Sequence, residues 1–323
     1  MIPPVRLSLL DRSRTRLGEP DAAALQHTVE RAIHAEELGH HRFWVAEHHG
    51  VPGIASGSPA VLIAAVAGRT GRIRVGSGGV MLPNHQPLVV AEQFAMLEAL
   101  YPGRIDLGVG RSLGFTSPVR AALRRDVDAP DTFAADLAEL RAYLDGRAAV
   151  TARPQLDHAV PVYVLATGRG LAVAGAAGLP VVVGGPVLDG AGIVEALADY
   201  RARALAAGAR PYVIVSLDVL VADSDAAARE LALPEAWALA AARTTGQFPA
   251  LEPVDLERPL SSRQRTLVED AVGRTVAGSA ATVSAQLDDL FARTGADELL
   301  ASTSTFDRAA LWESDARLAR LLA

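Results

Sequence analysis

The sequence contains no cysteine and no lysine, and each absence excludes a class of chemistry. Without cysteine there is no disulfide, no thiolate nucleophile and no zinc–thiolate site, which suits a reducing compartment. Without lysine there is no Schiff-base chemistry of the kind used by many aldolases, so an aldolase barrel is disfavoured. All 31 basic residues are therefore arginines.

The chain also lacks blocks of like charge and long apolar runs. It carries 37 acidic against 31 basic residues, a net charge of −6, so neither a nucleic acid nor an anionic membrane is an expected partner. The longest apolar run, residues 171–183, is broken by glycine and proline, and the N-terminus does not have the pattern of a signal peptide. We therefore expect a cytoplasmic protein.

Strand-like and helix-like segments alternate along the 323 residues, half of which are apolar. The predicted strands are residues 5–10, 42–47, 73–80, 104–109, 160–166, 180–183, 212–221 and 298–303. This alternation predicts a (β/α)8 TIM barrel, an α/β fold, formed by one domain over residues 1–323.

The interval between the seventh and eighth predicted strands, residues 222–296, contains helical pieces but no predicted strand. An interval of this length inside a compact domain is typical of a functional insertion. We therefore expect residues 222–296 to form a lid.

The most informative segment is 43–50, in which an apolar and aromatic run ends at Glu47, His48 and His49. A TIM barrel carries its chemistry on the loops after the strands, and a neutral imidazole suits general acid–base catalysis near pH 7. We predict that role for His48, with a structural hydrogen-bonding histidine as the alternative. No metal site is predicted, because His48 and His49 are adjacent on an extended segment and point in opposite directions.

Three of the remaining six histidines have expected positions outside the predicted site. His85 is expected to make hydrogen bonds within a loop. His40 and His41 are expected at the solvated start of the second strand.

Two glycine-rich segments lie in or after predicted strands. The third strand contains Ser77, Gly78 and Gly79, and glycines weaken a strand unless a flat ligand approaches its backbone. Gly110 and Arg111 follow the fourth strand, but Leu113 stands where a dinucleotide motif needs its third glycine. What remains is an arginine that could bind a phosphate or, alternatively, bridge to a surface carboxylate.

A third segment, Thr167, Gly168, Arg169 and Gly170, lies between the fifth strand and a predicted helix. Backbone amides at a helix N-terminus favour an anion, so this segment is a second candidate for binding phosphate. A plain glycine-rich turn is the alternative.

Taken together, the motifs resemble those of the bacterial luciferase-like monooxygenases. The similarity is carried by FWVAEHH (43–49), RVGSGGVMLP (74–83), PGRIDLGVGR (102–111) and GADEL (295–299). Within that superfamily, segment 110–116 is most similar to the subgroup found near polyketide antibiotic pathways.

The resemblance implies a TIM barrel, often a homodimer, that receives reduced FMN from a separate flavin reductase. It implies that O2 reacts through a flavin C4a-hydroperoxide and that one oxygen enters a small organic substrate, as in antibiotic biosynthesis. An F420-dependent oxidoreductase of the same superfamily and a non-catalytic flavin-binding protein are the alternatives.

The resemblance also assigns roles to individual residues. His48 matches the histidine that assists the flavin chemistry, and Gly78 and Gly79 match a pair joined by a cis peptide behind the flavin ring. Arg111 matches the arginine that binds the phosphate. Segment 167–170 is one residue short of the usual pattern, so we expect its backbone amides and Arg169 to take over phosphate binding.

Overall fold

The computed structural model describes residues 5–114, 116–125, 128, 131–254 and 260–323. The strands in these ranges are β1 Arg6–Asp11, β2 Arg42–Val45, β3 Arg74–Ser77, β4 Val80–Met81, β5 Ile105–Gly110, β6 Val162–Leu165, β7 Val181–Gly184, β8 Val213–Leu217, β9 Val219–Val221, β10 Val276–Gly278 and β11 Glu298–Ala301. The α-helices are α1 Asp21–Glu37, α2 Pro59–Ala67, α3 Pro87–Leu100, α4 Ser117–Ala122, α5 Phe133–Leu144, α6 Arg169–Ala176, α7 Ile193–Ala206, α8 Asp225–Thr245, α9 Ser262–Arg274, α10 Ala280–Thr294 and α11 Arg308–Leu321.

The main sheet is parallel and closes on itself. Its strands lie in the order β3-β2-β1-β11-β8-β7-β6-β5-β4, and β3 also pairs with β5. Strands β3 and β4 are two parts of one barrel position, so the ring has eight positions. The predicted TIM barrel is confirmed, and the carboxyl ends of all its strands meet at one mouth.

The helices begin and end where local residues dictate. Pro59 and Pro87 are the first residues of α2 and α3. A backbone N–H at the first position of a helix has no hydrogen-bond partner within the helix, so proline, which lacks this N–H, is tolerated there. Helix α8 ends at Gly246, whose φ of 77° is the left-handed conformation that favours glycine. A reciprocal capping box between Ser261 and Gln264 starts α9.

The closed end of the barrel is held by buried charges. Arg42 at the start of β2 pairs with Asp106 of β5 and with Glu298 of β11, at 2.8 Å in each case. Above this layer the interior is apolar and aromatic, with Trp44 packed edge-on against Tyr163. The barrel is therefore filled, and only its mouth is open.

Three expectations differ from the structure. The third predicted strand is interrupted between β3 and β4, and the seventh divides into β8 and β9. The interval 222–296 does contain a strand, β10, which pairs with β9 in a small second sheet. A three-residue strand is too short to leave a periodic pattern, which explains why it was not predicted.

Among the described helices, none is both long and apolar enough to span a bilayer.

Candidate active site

The mouth of the barrel opens into a space of about 470 Å³, here called the barrel-mouth cleft. Its lower walls are apolar side chains from the barrel interior, including Leu10, Val182 and Leu300. The predicted site residues that line it are His48, Gly78, Gly79, Gly110, Arg111 and Thr167. The structure thus brings together residues from four separate strand ends.

His48 lies just beyond β2, where its backbone N–H donates to the Ser56 carbonyl at 2.9 Å. Burial lowers the pKa of His48 to about 4, and the positive charges of Arg12 and Arg14 contribute to the shift. The imidazole is therefore neutral at pH 7. A neutral imidazole facing the cleft can accept a proton and return it.

A buried group of charges lies behind His48. Arg14 donates from Nε to Glu235 Oε2 at 2.8 Å, and Arg12 Nη1 lies 3.2 Å from Glu235 Oε1. Burial alone would raise the pKa of Glu235, but the two arginines hold it below its ordinary value. Because Glu235 belongs to α8, these ion pairs fasten the interval 222–296 to the mouth of the barrel.

His49 and His85 are both joined to Glu47, which lines the cleft. Glu47 Oε1 lies 2.6 Å from His49 Nε2 and 2.8 Å from His85 Nε2, while Oε2 accepts the Met81 N–H at 2.9 Å. Burial would raise the pKa of Glu47, but these hydrogen bonds lower it. The expectation of a hydrogen-bonding His85 agrees with its contact to Glu47.

The ligand atoms of Glu47, His49 and His85 lie within 4.8 Å of one another, a spacing that could hold a metal ion. The absence of a metal site therefore stays a prediction. The sequence offered one indication that these residues lie close together, since each follows one of two neighbouring barrel strands.

His40, expected at a solvated position, is instead buried, with Nδ1 3.1 Å from the Ala35 carbonyl oxygen.

The peptide between Gly78 and Gly79 is cis and forms part of the cleft wall. A Cβ on Gly78 would lie 2.6 Å from Leu10 Cδ1, and one on Gly79 would lie 2.8 Å from the Gly108 carbonyl oxygen. The collision with backbone requires glycine at position 79, whereas at position 78 the nearest atom is the end of the flexible Leu10 side chain. The bare backbone that results also faces the cleft.

Ser77 is fully buried and does not line the barrel-mouth cleft. Its hydroxyl donates to the Gly108 carbonyl at 2.8 Å and accepts the Gly108 N–H at 3.0 Å. In this structure its side chain joins β3 to β5.

The two candidate phosphate-binding segments follow neighbouring barrel strands, β5 and β6. Arg111 lines the cleft, and its Nη1 is 3.5 Å from Asp131 Oδ2, the surface-carboxylate bridge considered as its alternative role. Thr167 lines the cleft, whereas Gly168, Arg169 and Gly170 are not among the lining residues. Gly168 has a φ of 55° and precedes the first turn of α6. Position 115 of the predicted segment 110–116 lies outside the described residues.

Comparisons with known proteins point to one family. A family model described as luciferase-like monooxygenase matches residues 5–298. A luciferase-like monooxygenase of Escherichia coli (strain K12) is 35% identical over 316 residues, which cover 95% of this chain and 93% of the relative. An N-acetyl-S-alkylcysteine monooxygenase of Bacillus subtilis (strain 168) is 44% identical over 169 residues, covering 50% of this chain and 51% of the relative.

Solved structures with the same fold are also similar. The crystal structure of apo-MsnO8 has a TM-score of 0.86 and 34% identity, covering 98% of each chain. The oxygenating constituent of 3,6-diketocamphane monooxygenase from Pseudomonas putida, solved with FMN, has a TM-score of 0.76 at 19% identity and covers 99% of this chain and 98% of its own. An F420-dependent secondary alcohol dehydrogenase has a TM-score of 0.71 at 15% identity over 99% of each chain, so these last two show the fold alone. The family model and the full-length relatives together show that this chain belongs to the luciferase-like monooxygenase family.

Proposed function

We propose that this protein is an FMN-dependent monooxygenase that uses reduced FMN and O2. One oxygen atom of O2 enters an organic substrate, the other leaves as water, and reduced FMN supplies the two electrons. The observation that carries the proposal is the convergence of His48, the Gly78–Gly79 backbone and Arg111 on one cleft.

The residues of the barrel-mouth cleft fit a flat ring with one phosphate. The apolar side chains beneath the cleft and the bare glycine backbone offer a surface for the ring, with no side chain projecting from Gly78 or Gly79. Arg111 offers a bidentate cation to the phosphate, and the N-terminus of α6 offers the positive end of its helix dipole. When bound, reduced FMN would supply the activation of O2, which no amino-acid side chain provides.

The chain's own part in the reaction is proton transfer and exclusion of water. His48 is neutral at pH 7, so it can take a proton from a reacting group and deliver it again. The apolar barrel interior keeps water from the lower side of the cleft.

Two alternatives use the same fold. An F420-dependent enzyme would transfer a hydride without O2, and a non-catalytic protein would bind FMN without consuming O2 beyond the rate of the free flavin. Titration of the protein with FMN and with F420, followed by an oxygen-electrode measurement with reduced FMN, separates the three. The proposal expects tighter binding of FMN and protein-dependent O2 consumption. Preferential binding of F420 would overturn it.

Relatives indicate two substrate classes for this fold. One is named as a monooxygenase of N-acetyl-S-alkylcysteine, which contains a thioether. Another is named 4-hydroxyprotoasukamycin monooxygenase and is 42% identical over 94 residues, which cover 29% of this chain. We propose a small organic substrate of one of these kinds, with antibiotic biosynthesis as the setting that fits the second.

We also propose that the protein is a homodimer that works in the cytoplasm with a separate flavin reductase. Four of its large exposed apolar side chains lie on two consecutive helices: Val61 of α2, and Val89, Met96 and Leu100 of α3. Their exposures are 71%, 44%, 55% and 65%, and the three on α3 follow a helical repeat. A clustered apolar surface of this kind is typical of a subunit interface.

A further inference from the structure

A second space adjoins the barrel-mouth cleft and has no assigned role. This adjoining pocket has a volume of about 730 Å³ and shares His48 and His49 with the cleft. A molecule in the adjoining pocket would therefore reach the imidazole to which we assign proton transfer. The pocket is large enough for a small organic substrate.

Most of the pocket wall is apolar. The apolar side chains come from the loop after β2, from α4, from the end of α8 and from the segment after α8: Val51, Ile54, Val119, Leu239, Ala242 and Phe248. Such walls favour the hydrocarbon part of a ligand, because its burial removes apolar surface from water.

The charged side chains of the pocket are of one sign. Among the residues described, no aspartate or glutamate lines it, whereas Arg12 and Arg243 do. Arg12 is already neutralised, since Nη1 lies 3.2 Å from Glu235 Oε1 and Nη2 lies 3.4 Å from Asp218 Oδ1. An additional anion would therefore gain little from Arg12.

Arg243, unlike Arg12, has no neutralising carboxylate among the residues that the structure describes. It lies in the last turn of α8, and within the described ranges no carboxylate or carbonyl oxygen accepts a hydrogen bond from its guanidinium. Its planar fork of donors matches a carboxylate in geometry, and its exposed guanidinium is open to an incoming ligand.

We propose that the substrate is an apolar organic acid whose carboxylate pairs with Arg243 while its apolar body lies in the adjoining pocket beside His48. This substrate class rests on the proposed function. It deepens that function by adding a specificity residue on α8, 195 positions along the chain from His48. A merely structural role is the competing explanation, because an arginine in the last turn of a helix also interacts favourably with the helix dipole.

The test is equilibrium binding by titration calorimetry to the full chain, with and without oxidised FMN. The probes are N-acetyl-S-benzylcysteine and octanoate, each compared with its own primary amide, which keeps the shape and removes the charge. The variants are Arg243→Gln, Arg243→Lys and, as a matched control, Arg229→Gln at another exposed arginine of α8. Thermal unfolding of each variant reports any change in stability.

We expect the wild type to bind at least one acid about tenfold more tightly than its amide. Arg243→Gln should abolish this preference, Arg243→Lys should retain part of it, and Arg229→Gln should leave it unchanged. Equal binding of acid and amide, no binding of either pair, or a preference that survives in Arg243→Gln would overturn the inference. A preference for the acid without any oxygen transfer would instead overturn the proposed function and leave the carboxylate site standing.

Discussion

Arg14, just after the first barrel strand, donates a hydrogen bond from Nε to Oε2 of Glu235 at 2.8 Å, although 221 positions separate the two residues. Both side chains are almost completely buried. The pair fixes the middle of α8 against the barrel mouth, so the interval 222–296 is anchored close to His48. A lid motion of this interval must leave this anchor intact or break a buried ion pair.

Replacement of Glu235 by glutamine should destabilise the protein. It leaves Arg14 as a buried cation without its carboxylate, and breaking a buried pair in this way costs about 3 kcal/mol. Guanidinium chloride denaturation measures the loss in the free energy of unfolding. Glu230→Gln, at an exposed position of the same helix, is the control and should change stability by less than about 0.5 kcal/mol. Equal stabilities for the two variants would contradict the anchoring role.

His48→Gln should reduce product formation by about a hundredfold, because it removes from the cleft the neutral imidazole to which we assign proton transfer. Binding of oxidised FMN should change little, since the residue is assigned to proton transfer. Fluorescence titration with FMN and a product assay measure the two effects separately. If both were lost to the same extent, the histidine would be structural.

The same residue should make stability depend on pH. The folded protein does not protonate His48 until about pH 4, whereas the unfolded chain binds this proton near pH 6.5. The unfolded state therefore carries more protons between these values, and stability falls as the pH is lowered through this window. His41, whose pKa burial and Arg42 also lower to about 4, adds a second contribution.

Urea denaturation from pH 7.5 to pH 4.5 checks this pH dependence. The wild type should lose stability faster than His48→Gln as the pH falls, and most of the difference should develop below about pH 6.5. A difference that stays constant with pH would mean that the imidazole titrates normally.

Arg111→Ala should weaken FMN binding by about tenfold or more and leave riboflavin binding nearly unchanged, because riboflavin lacks the phosphate. Arg169→Ala should have a smaller effect, as Arg169 does not line the cleft. Both are measured by flavin fluorescence titration. An unchanged ratio of FMN to riboflavin affinity in Arg111→Ala would remove its phosphate role and leave the bridge to Asp131.

Met96→Glu combined with Leu100→Glu should convert the proposed dimer to a monomer, since two charges would be buried in an apolar interface. Size-exclusion chromatography with light scattering measures the molar mass. Val194→Glu, which changes an exposed apolar residue of α7, should leave the dimer intact. A wild-type monomer, or a dimer in all three proteins, would contradict an interface on α2 and α3.

Features that depend on neighbouring residues were predictable from the sequence. The α2 bounds, Pro59–Ala67, follow from one proline and an apolar run, and the eight barrel positions follow from short β-branched segments. His48, Gly78 and Arg111 could be placed in one cleft because strand ends meet at the mouth of a TIM barrel.

Features that depend on distant pairing were not predictable in the same way. His85 reaches Glu47 across 38 positions, and no local pattern distinguishes it from an ordinary loop histidine. Ser77 looked available to a ligand, yet its hydroxyl is used by Gly108 of the neighbouring strand. The same holds for β10, since a three-residue strand is defined by its partner β9 rather than by its own sequence.

The most direct test of the proposed reaction is the fate of isotope-labelled O2. The protein would be mixed with chemically reduced FMN, labelled O2 and N-acetyl-S-benzylcysteine or a second S-alkylated N-acetylcysteine, and the products analysed by mass spectrometry. The account predicts one labelled oxygen atom per product molecule, with little product from His48→Gln. Unlabelled product, or protein-dependent oxidation of reduced FMN that yields only hydrogen peroxide with every substrate tried, would contradict it.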